Sequence, residues 1–337
     1  MRRRFNSIFK YNRKLVLFLV IALYLSFFQS LRKAYDLIII PLQSRTTDVS
    51  FILNTYSIDD EQYVCSKRKD NVTSHLLTTH KYSLSNTIIV SIKSLSINCT
   101  QGETCKEYTV LTLLAMYRRL YGINVVVFTN DTNTIQVSKE FGFIDHRIIH
   151  YNEYGLPYLK YLFLDAMTVS KTRLYTYINA DIFVNINILQ AAEAYYQYRK
   201  DGWLLCSRVF VTKSIIHASN VTQRMDIDEL ARKHSIQRLR VARAIDVFIV
   251  PHSYSFDDFY NVVIGRWYVD NAFLIHTRTK NMPLIDGTIF HSYHLGTEQS
   301  HTKKHTVKPN DWGFNAHLLN RSLLSEGSLR TKELFCQ

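Results

Sequence analysis

Three stretches of this sequence bring together residue types that can do chemistry. The first is Asn179-Ala180-Asp181, directly after the apolar run 174–178. One aspartate at a strand end is chemically sufficient to hold a divalent cation, which neutralises the charge developing on a departing diphosphate. Mg²⁺ and Mn²⁺ take oxygen ligands and often use only one or two protein carboxylates besides the phosphates. The bland alternative is a turn, because Asn and Asp both favour strand ends for local hydrogen bonding. The second stretch is Val-Ile-Gly-Arg-Trp-Tyr-Val-Asp-Asn at 263–271. Gly265 permits close backbone approach, and Arg266 can clamp a phosphate or carboxylate in a bidentate fork. Trp267 and Tyr268 offer flat faces for a sugar or base, and Asp270 can take a proton from a hydroxyl. If the segment is helical, Arg266 and Asp270 stand i,i+4 and an ordinary surface ion pair explains them equally well. The third stretch holds His291, His294, His301 and His305 beside Glu298. Histidine ligates transition metals, yet the uneven spacing argues against a closed zinc site, and a solvated polar loop is the alternative.

The elements that must position these residues follow a clear rhythm from Asn86 onward. Residues 87–92 (TIIVSI) read as a buried strand, and Glu107–Tyr121 as an amphipathic helix stopped by Gly122. A strand over Ile123–Phe128, a helix through Val137–Phe141 and a strand over Arg147–His150 come next, then a helix over Leu156–Val169 and a strand over Leu174–Ile178. The second half reads as helix Ile188–Arg199, strand Trp203–Val209, a polar helical stretch Arg224–Arg243, strand Val247–Val250, helix Val269–Arg278 and strand Leu284–Ile289. The tail from His291 reads as a loop that folds back. Strands and helices alternating at this spacing predict an α/β fold with a mostly parallel sheet. Such sheets bind ligands beyond the carboxyl ends of their strands, where Asn179 and Asp181 fall. Neither a GxGxxG fingerprint nor a P-loop is present.

The formal net charge is +13, but its distribution argues against nucleic acid. Arg2, Arg3, Arg4, Lys10, Arg13, Lys14, Arg32 and Lys33 flank one uncharged run, LVLFLVIALYLSFF at 15–28, and removing these eight leaves +5. Extended to Leu31 the run reaches about 17 residues, the lower limit for a helix spanning hydrocarbon. The charge bias predicts residues 1–14 as a cytoplasmic tail, 15–31 as a transmembrane signal anchor of type II orientation, 32–85 as a stem and 86–330 as a lumenal domain. A cleaved signal peptide is the alternative, against which stand the lack of an A-x-A-like site and the Arg32-Lys33 that follows. The short anchor suits a thin, early-secretory bilayer such as the Golgi or the endoplasmic reticulum. Five glycosylation sequons, at Asn71, Asn98, Asn130, Asn220 and Asn320, all lie after the anchor. Five cysteines, Cys65, Cys99, Cys105, Cys206 and Cys336, permit at most two internal bridges, and Cys99 and Cys105 are close enough to close a small loop.

Taken together, YINADIFV (177–184), DVFIV (246–250), VIGRWYVDNAFL (263–274), MPLIDGTIFHSYHLGTEQSH (282–301) and DWGFNAHLL (311–319) resemble a glycosyltransferase-like family of the GT-A fold. The family's motifs are an N-x-D strand end, a GR…W-D-N block and a late His-rich block, and the likeness runs over roughly 86–320. It implies a nucleotide-diphospho-sugar transferase, hexosyl or related, acting on a lumenal glycan, glycoprotein or glycolipid hydroxyl with Mn²⁺ or Mg²⁺. On this resemblance Asp181 and His294 hold the metal. Asn179, Asp181, Gly265, Asn271, His294 and His301 bind the donor, and Arg266 and Asp270 are catalytic. Asn179 stands where the common D-x-D form has its first carboxylate, so one negative charge is missing. Val269 replaces the block's tryptophan, Thr297 an inner histidine and Glu298 an aspartate. Two other readings remain beside the enzyme: a catalytically silent lumenal binding protein on the same fold, and a membrane-tethered protein that binds polyanions.

Overall fold

The apolar runs that read as strands do pair into one sheet. The computed structural model describes residues 84–100, 105–212, 214, 216–222, 229–230, 233, 235–239, 244–296 and 313–319. Seven strands make the main sheet: β1 (Asn86–Ser91), β2 (Asn124–Phe128), β3 (Ile144–His146), β4 (Leu174–Asn179), β6 (Leu204–Arg208), β9 (Ile245–Pro251) and β10 (Leu284–Asp286). Their spatial order is β10-β6-β9-β4-β1-β2-β3, and only β9 runs antiparallel to its neighbours. The result is the expected α/β fold with a mostly parallel, mixed sheet. A second, four-stranded sheet has the order β5-β11-β7-β8, from β5 (Ile182–Phe183), β7 (Phe210–Thr212), β8 (Ser235–Leu239) and β11 (Tyr293–His294).

Strand side chains alternate between the sheet's two faces, and both faces are buried, which is why these strands read as continuous apolar runs. Ile88, Val90, Val125, Val127, Ile178, Val247 and Ile249 face helices α1 (Lys106–Tyr121) and α4 (Ile186–Tyr198). Ile89, Val126, Tyr175, Tyr177, Phe248 and Val250 face α3 (Leu159–Val169) and α5 (Val269–Thr279). On that second face Phe248 stacks on Phe273 with ring centroids 4.8 Å apart. Burying a side chain of this size contributes about 1.5–3 kcal/mol. Between β2 and β3 lies α2 (Thr132–Glu140), whose N-cap Asp131 accepts from the Thr134 backbone N–H at 2.9 Å. Gly122 ends α1 in the left-handed conformation, its N–H closing onto the Arg118 carbonyl.

Several boundaries differ from those read off the sequence, each for a local reason. The strand placed at 147–150 is instead Ile144–His146, because its partner β2 ends at Phe128 and the Thr129 N–H already takes the His146 carbonyl. The helix expected from Leu156 starts at Leu159, since Tyr158 bridges to Val263 and the Leu159 N–H donates to the Val262 carbonyl. The strand expected to reach Ile289 stops at Asp286, whose carboxylate accepts from the Thr288 backbone and hydroxyl and turns the chain. Within the stretch 224–243, read as helical, residues 235–239 form a strand paired with β7. Ladder hydrogen bonds from a neighbouring strand override local propensity there. The expected tail, the anchor at 15–31 and almost all of the stem lie outside the described residues, as do Cys65, Asn71, Thr297, Glu298, His301, His305, Asn320 and Cys336. Among the described residues no helix is long and apolar enough to cross a membrane.

Candidate functional site

The small sheet assembles the first part of the site. β5 begins one residue after Asp181 and pairs antiparallel with β11, setting Ile182 against His294 and Phe183 against Tyr293. The Leu295 N–H donates to the Asp181 carbonyl at 2.9 Å and extends the pairing. This register draws Asp181 and His294 together, leaving His294 Nε2 3.0 Å from Asp181 Oδ2. The His294 ring is 3% exposed, and its Nδ1 lies 3.2 Å from the Gly296 carbonyl. A carbonyl only accepts, so Nδ1 carries the hydrogen, and Nε2 is aimed at the carboxylate. Gly296 is left-handed (φ 77°) and its N–H donates to the Thr212 hydroxyl, which ties this turn to β7.

A third group, which sequence reasoning missed, reaches the same oxygen. Lys106 Nζ lies 3.5 Å from Asp181 Oδ2. Lys106 is the first residue of α1, immediately after the Cys99–Cys105 disulfide expected from the spacing. The available signal was weak: a lysine at the start of a helix, next to a cysteine, with nothing in the sequence to say what it faces.

Asn179 turns the other way. Its Nδ2 donates to Asp246 Oδ1 at 3.1 Å, and its Oδ1 accepts from the Tyr177 hydroxyl at 3.1 Å. Asp246 lies next to Asn179 because β9 runs antiparallel to β4, Val247 pairing with Ile178. Burial, with the charges of Asp181 and Asp246 added, pushes the Tyr177 phenol well above its ordinary range. Asp246 is 5% exposed. Nothing in the sequence assigns it a role, although it opens the matching stretch DVFIV just before the strand expected at Val247–Val250.

Asp270 belongs to this second carboxylate group. It stands in the first turn of α5, its Oδ2 accepting from the Ile245 N–H and its Oδ1 from the Asn271 N–H, both at 3.1 Å. Burial raises its pKa to about 7, and the nearby Asp246 adds to the rise, while the backbone donors oppose it. Arg266 precedes the helix, so the i,i+4 helical pairing considered above does not apply. Its guanidinium donates to the Gly265 carbonyl at 2.8 Å. Gly265 is left-handed (φ 73°), with no atom within 4 Å of where a Cβ would sit. Glycine is therefore required there by backbone conformation and not by close approach. Trp267 is 64% exposed, Tyr268 is also left-handed (φ 68°), and Asn271 is buried.

Asn315, the second residue of the short helix α6 (Phe314–Leu318), holds this loop in place. Its Oδ1 accepts from the Val263 N–H at 2.8 Å, and its Nδ2 donates to the carbonyls of Val263 (2.9 Å) and Trp267 (3.1 Å). One buried side chain thus fixes the loop that leads into Asp270. The structure accordingly forms two groups, Asp181–His294–Lys106 and Asp246–Asp270, with Asn179, two residues before Asp181, bonded to the second.

The first group fits a divalent cation. A carboxylate oxygen and a ring nitrogen face each other, and a carbonyl on the far side of the ring fixes its orientation, as metal-ligating histidines require. Two protein ligands leave positions for phosphates and water, which suits Mg²⁺ or Mn²⁺. Among the described residues no cage of three or more His, Cys, Asp or Glu side chains forms.

No protein-family model matches the chain, and neither does any curated protein. Solved structures do. A CMP:2-keto-3-deoxy-manno-octonic acid synthetase complexed with CTP is 10% identical, with a TM-score of 0.36 over 60% of this chain and 90% of that one. A protein assigned as a nucleotide-diphospho-sugar transferase from Desulfovibrio desulfuricans G20 is 10% identical, with a TM-score of 0.37 over 73% of this chain and 99% of its own. S. aureus TarS 1-349 in complex with UDP-GlcNAc is 16% identical, with a TM-score of 0.28 over 37% of this chain and 34% of that one.

Proposed function

We infer that this chain is a GT-A-type glycosyltransferase that moves a sugar from a nucleotide-diphosphate donor to an acceptor hydroxyl. The observation that carries the reading is the meeting of Asp181 and His294 just past the carboxyl end of β4, with Lys106 on the same oxygen. That edge of an α/β sheet is where ligands bind. Asp181 and His294 would hold Mn²⁺ or Mg²⁺, which when bound neutralises charge on the departing diphosphate. Arg266 steadies that diphosphate, and the donor-side roles of Asn179, Gly265, Asn271 and His301 rest on the resemblance, the Asn179 side chain being engaged by Asp246 and Tyr177. Where configuration inverts, Asp270 takes the proton from the acceptor hydroxyl; a carboxyl raised to about 7 is matched to that task near neutrality. Where configuration is retained, Asp270 positions the acceptor.

The acceptor in this reading is a glycan, glycoprotein or glycolipid of the Golgi lumen, with the chain anchored through residues 15–31 as a type II membrane protein. Three features support that placement: the charge bias around the anchor, the Cys99–Cys105 bridge, and exposure of the sequon asparagines Asn98, Asn130 and Asn220. The test offers a panel of nucleotide-diphospho-sugars to the purified protein with Mn²⁺ and compares wild type with Asp181→Ala, both verified as folded by thermal unfolding. Transfer or donor hydrolysis should fall at least about a hundredfold in the variant, as expected when charge stabilisation of a leaving group is lost. Equal rates would remove Asp181 from the chemistry, whereas no transfer or hydrolysis with any donor would leave a lumenal binding protein.

A further inference from the structure

Lys106 is placed against ordinary electrostatic preference. It stands in the first turn of a 16-residue helix, where the macrodipole disfavours a positive charge. Its side chain is also largely withdrawn from water, at 14% exposure. A lysine usually escapes both costs by snorkelling outward. Here it does not, and the start of the helix is held firmly in place. The Cys99–Cys105 bridge closes the segment just before it, and Cys105 caps the helix in extended conformation (φ −117°, ψ 133°). Thr109, one turn on, donates its hydroxyl to the Ile216 carbonyl at 2.7 Å and pins the helix start to a distant segment. The ammonium is thereby delivered to Asp181 Oδ2, the oxygen that also faces His294.

Charge accounts for why such a group would be kept. A motif with two carboxylates is doubly negative and relies on a divalent ion to receive a diphosphate. Here Asn179 is neutral and turned toward Asp246, and Lys106 adds a positive charge. Those two differences make the pocket as much more positive as a bound divalent ion would.

We propose that Lys106 is itself a ligand of the donor diphosphate: its ammonium leaves Asp181 Oδ2 for a phosphate oxygen, so the site grips the diphosphate even without a divalent ion. The proposal rests on the donor reading above and names the group that completes it. The ammonium has only to exchange one anionic oxygen for another, and a charge-assisted hydrogen bond to phosphate is the strong kind.

The probe is inorganic pyrophosphate, which carries the charge whatever the donor's base, titrated calorimetrically into the purified full chain in EDTA and again in Mg²⁺. In EDTA the wild type should bind, and Lys106→Gln should bind about tenfold or more weakly. Asp181→Asn, which frees the ammonium, should bind at least as tightly as wild type in EDTA, an outcome that loss of structure cannot mimic. Equal affinities of wild type and Lys106→Gln in EDTA would overturn the assignment, as would wild-type binding only in Mg²⁺; either result leaves the donor reading standing. Absence of wild-type binding in both conditions would overturn the donor reading together with the assignment.

Discussion

Replacing Asp270 by asparagine should sharply reduce the loss of stability that the wild type shows as pH rises from about 5 to about 8. Burial and the Asp246 charge raise the Asp270 carboxyl from 3.8 to about 7 in the folded chain. In the unfolded chain it returns to the ordinary value, so between these two limits the folded state binds one more proton than the unfolded state. Stability must then fall as pH rises. A rise of this size corresponds to about 4 kcal/mol, fully present below pH ~4 and lost by pH ~8. Asparagine carries no charge at any pH. Its Oδ1 can still accept from the Ile245 N–H, but its amide nitrogen meets the Asn271 N–H without accepting, at a cost of about 1–2 kcal/mol. Urea unfolding at pH 5 and pH 8 measures the effect. The wild type should lose a few kcal/mol between the two that Asp270→Asn does not lose, so the variant is the less stable protein at pH 5 and the equal or more stable one at pH 8. Parallel losses in the two proteins would show that the Asp270 carboxyl is not held in a charge-hostile environment, and the argument for it as a base near neutrality would go with it.

Two further substitutions probe the loop that carries Arg266. Asn315→Ala removes the partner of the Val263 N–H and of two carbonyls, and should destabilise the protein by about 3 kcal/mol while speeding proteolysis within 263–268, as read by denaturant unfolding and limited digestion. Gly265→Ala meets no atom within 4 Å, so its cost should be only the left-handed backbone penalty of about 1–2 kcal/mol in the same unfolding assay; a much larger loss would mean the loop packs more closely than the structure has it.

Much of the scaffold was legible along the chain. β1, β2 and β4 announce themselves as apolar runs because both faces of a parallel sheet are covered, and the α1 boundary at Gly122 follows from the one residue that adopts φ 70° without strain. The small loop closed by Cys99 and Cys105 was legible for a similar reason: six residues of separation let the two thiols meet through a local turn of the chain. β8 and the true end of β10 were not legible. One depends on a ladder with β7, and the other on a carboxylate that turns the chain at Thr288.

The site divides along the same line. Residue type and local order alone marked Asp181 at a strand end, Asp270 in the first turn of a helix and Gly265 as a residue with no side chain, because each of those properties belongs to a residue and its immediate neighbours. Which groups meet was decided by tertiary pairing. The register of β5 against β11 sets His294 on Asp181, the antiparallel run of β9 sets Asp246 on Asn179, and the disulfide-capped start of α1 brings Lys106 onto the same carboxylate. Sequence carries the chemical capacity of a side chain, but its partners, and so its charge environment, come from segments distant in the chain, whose distances only the folded sheet determines.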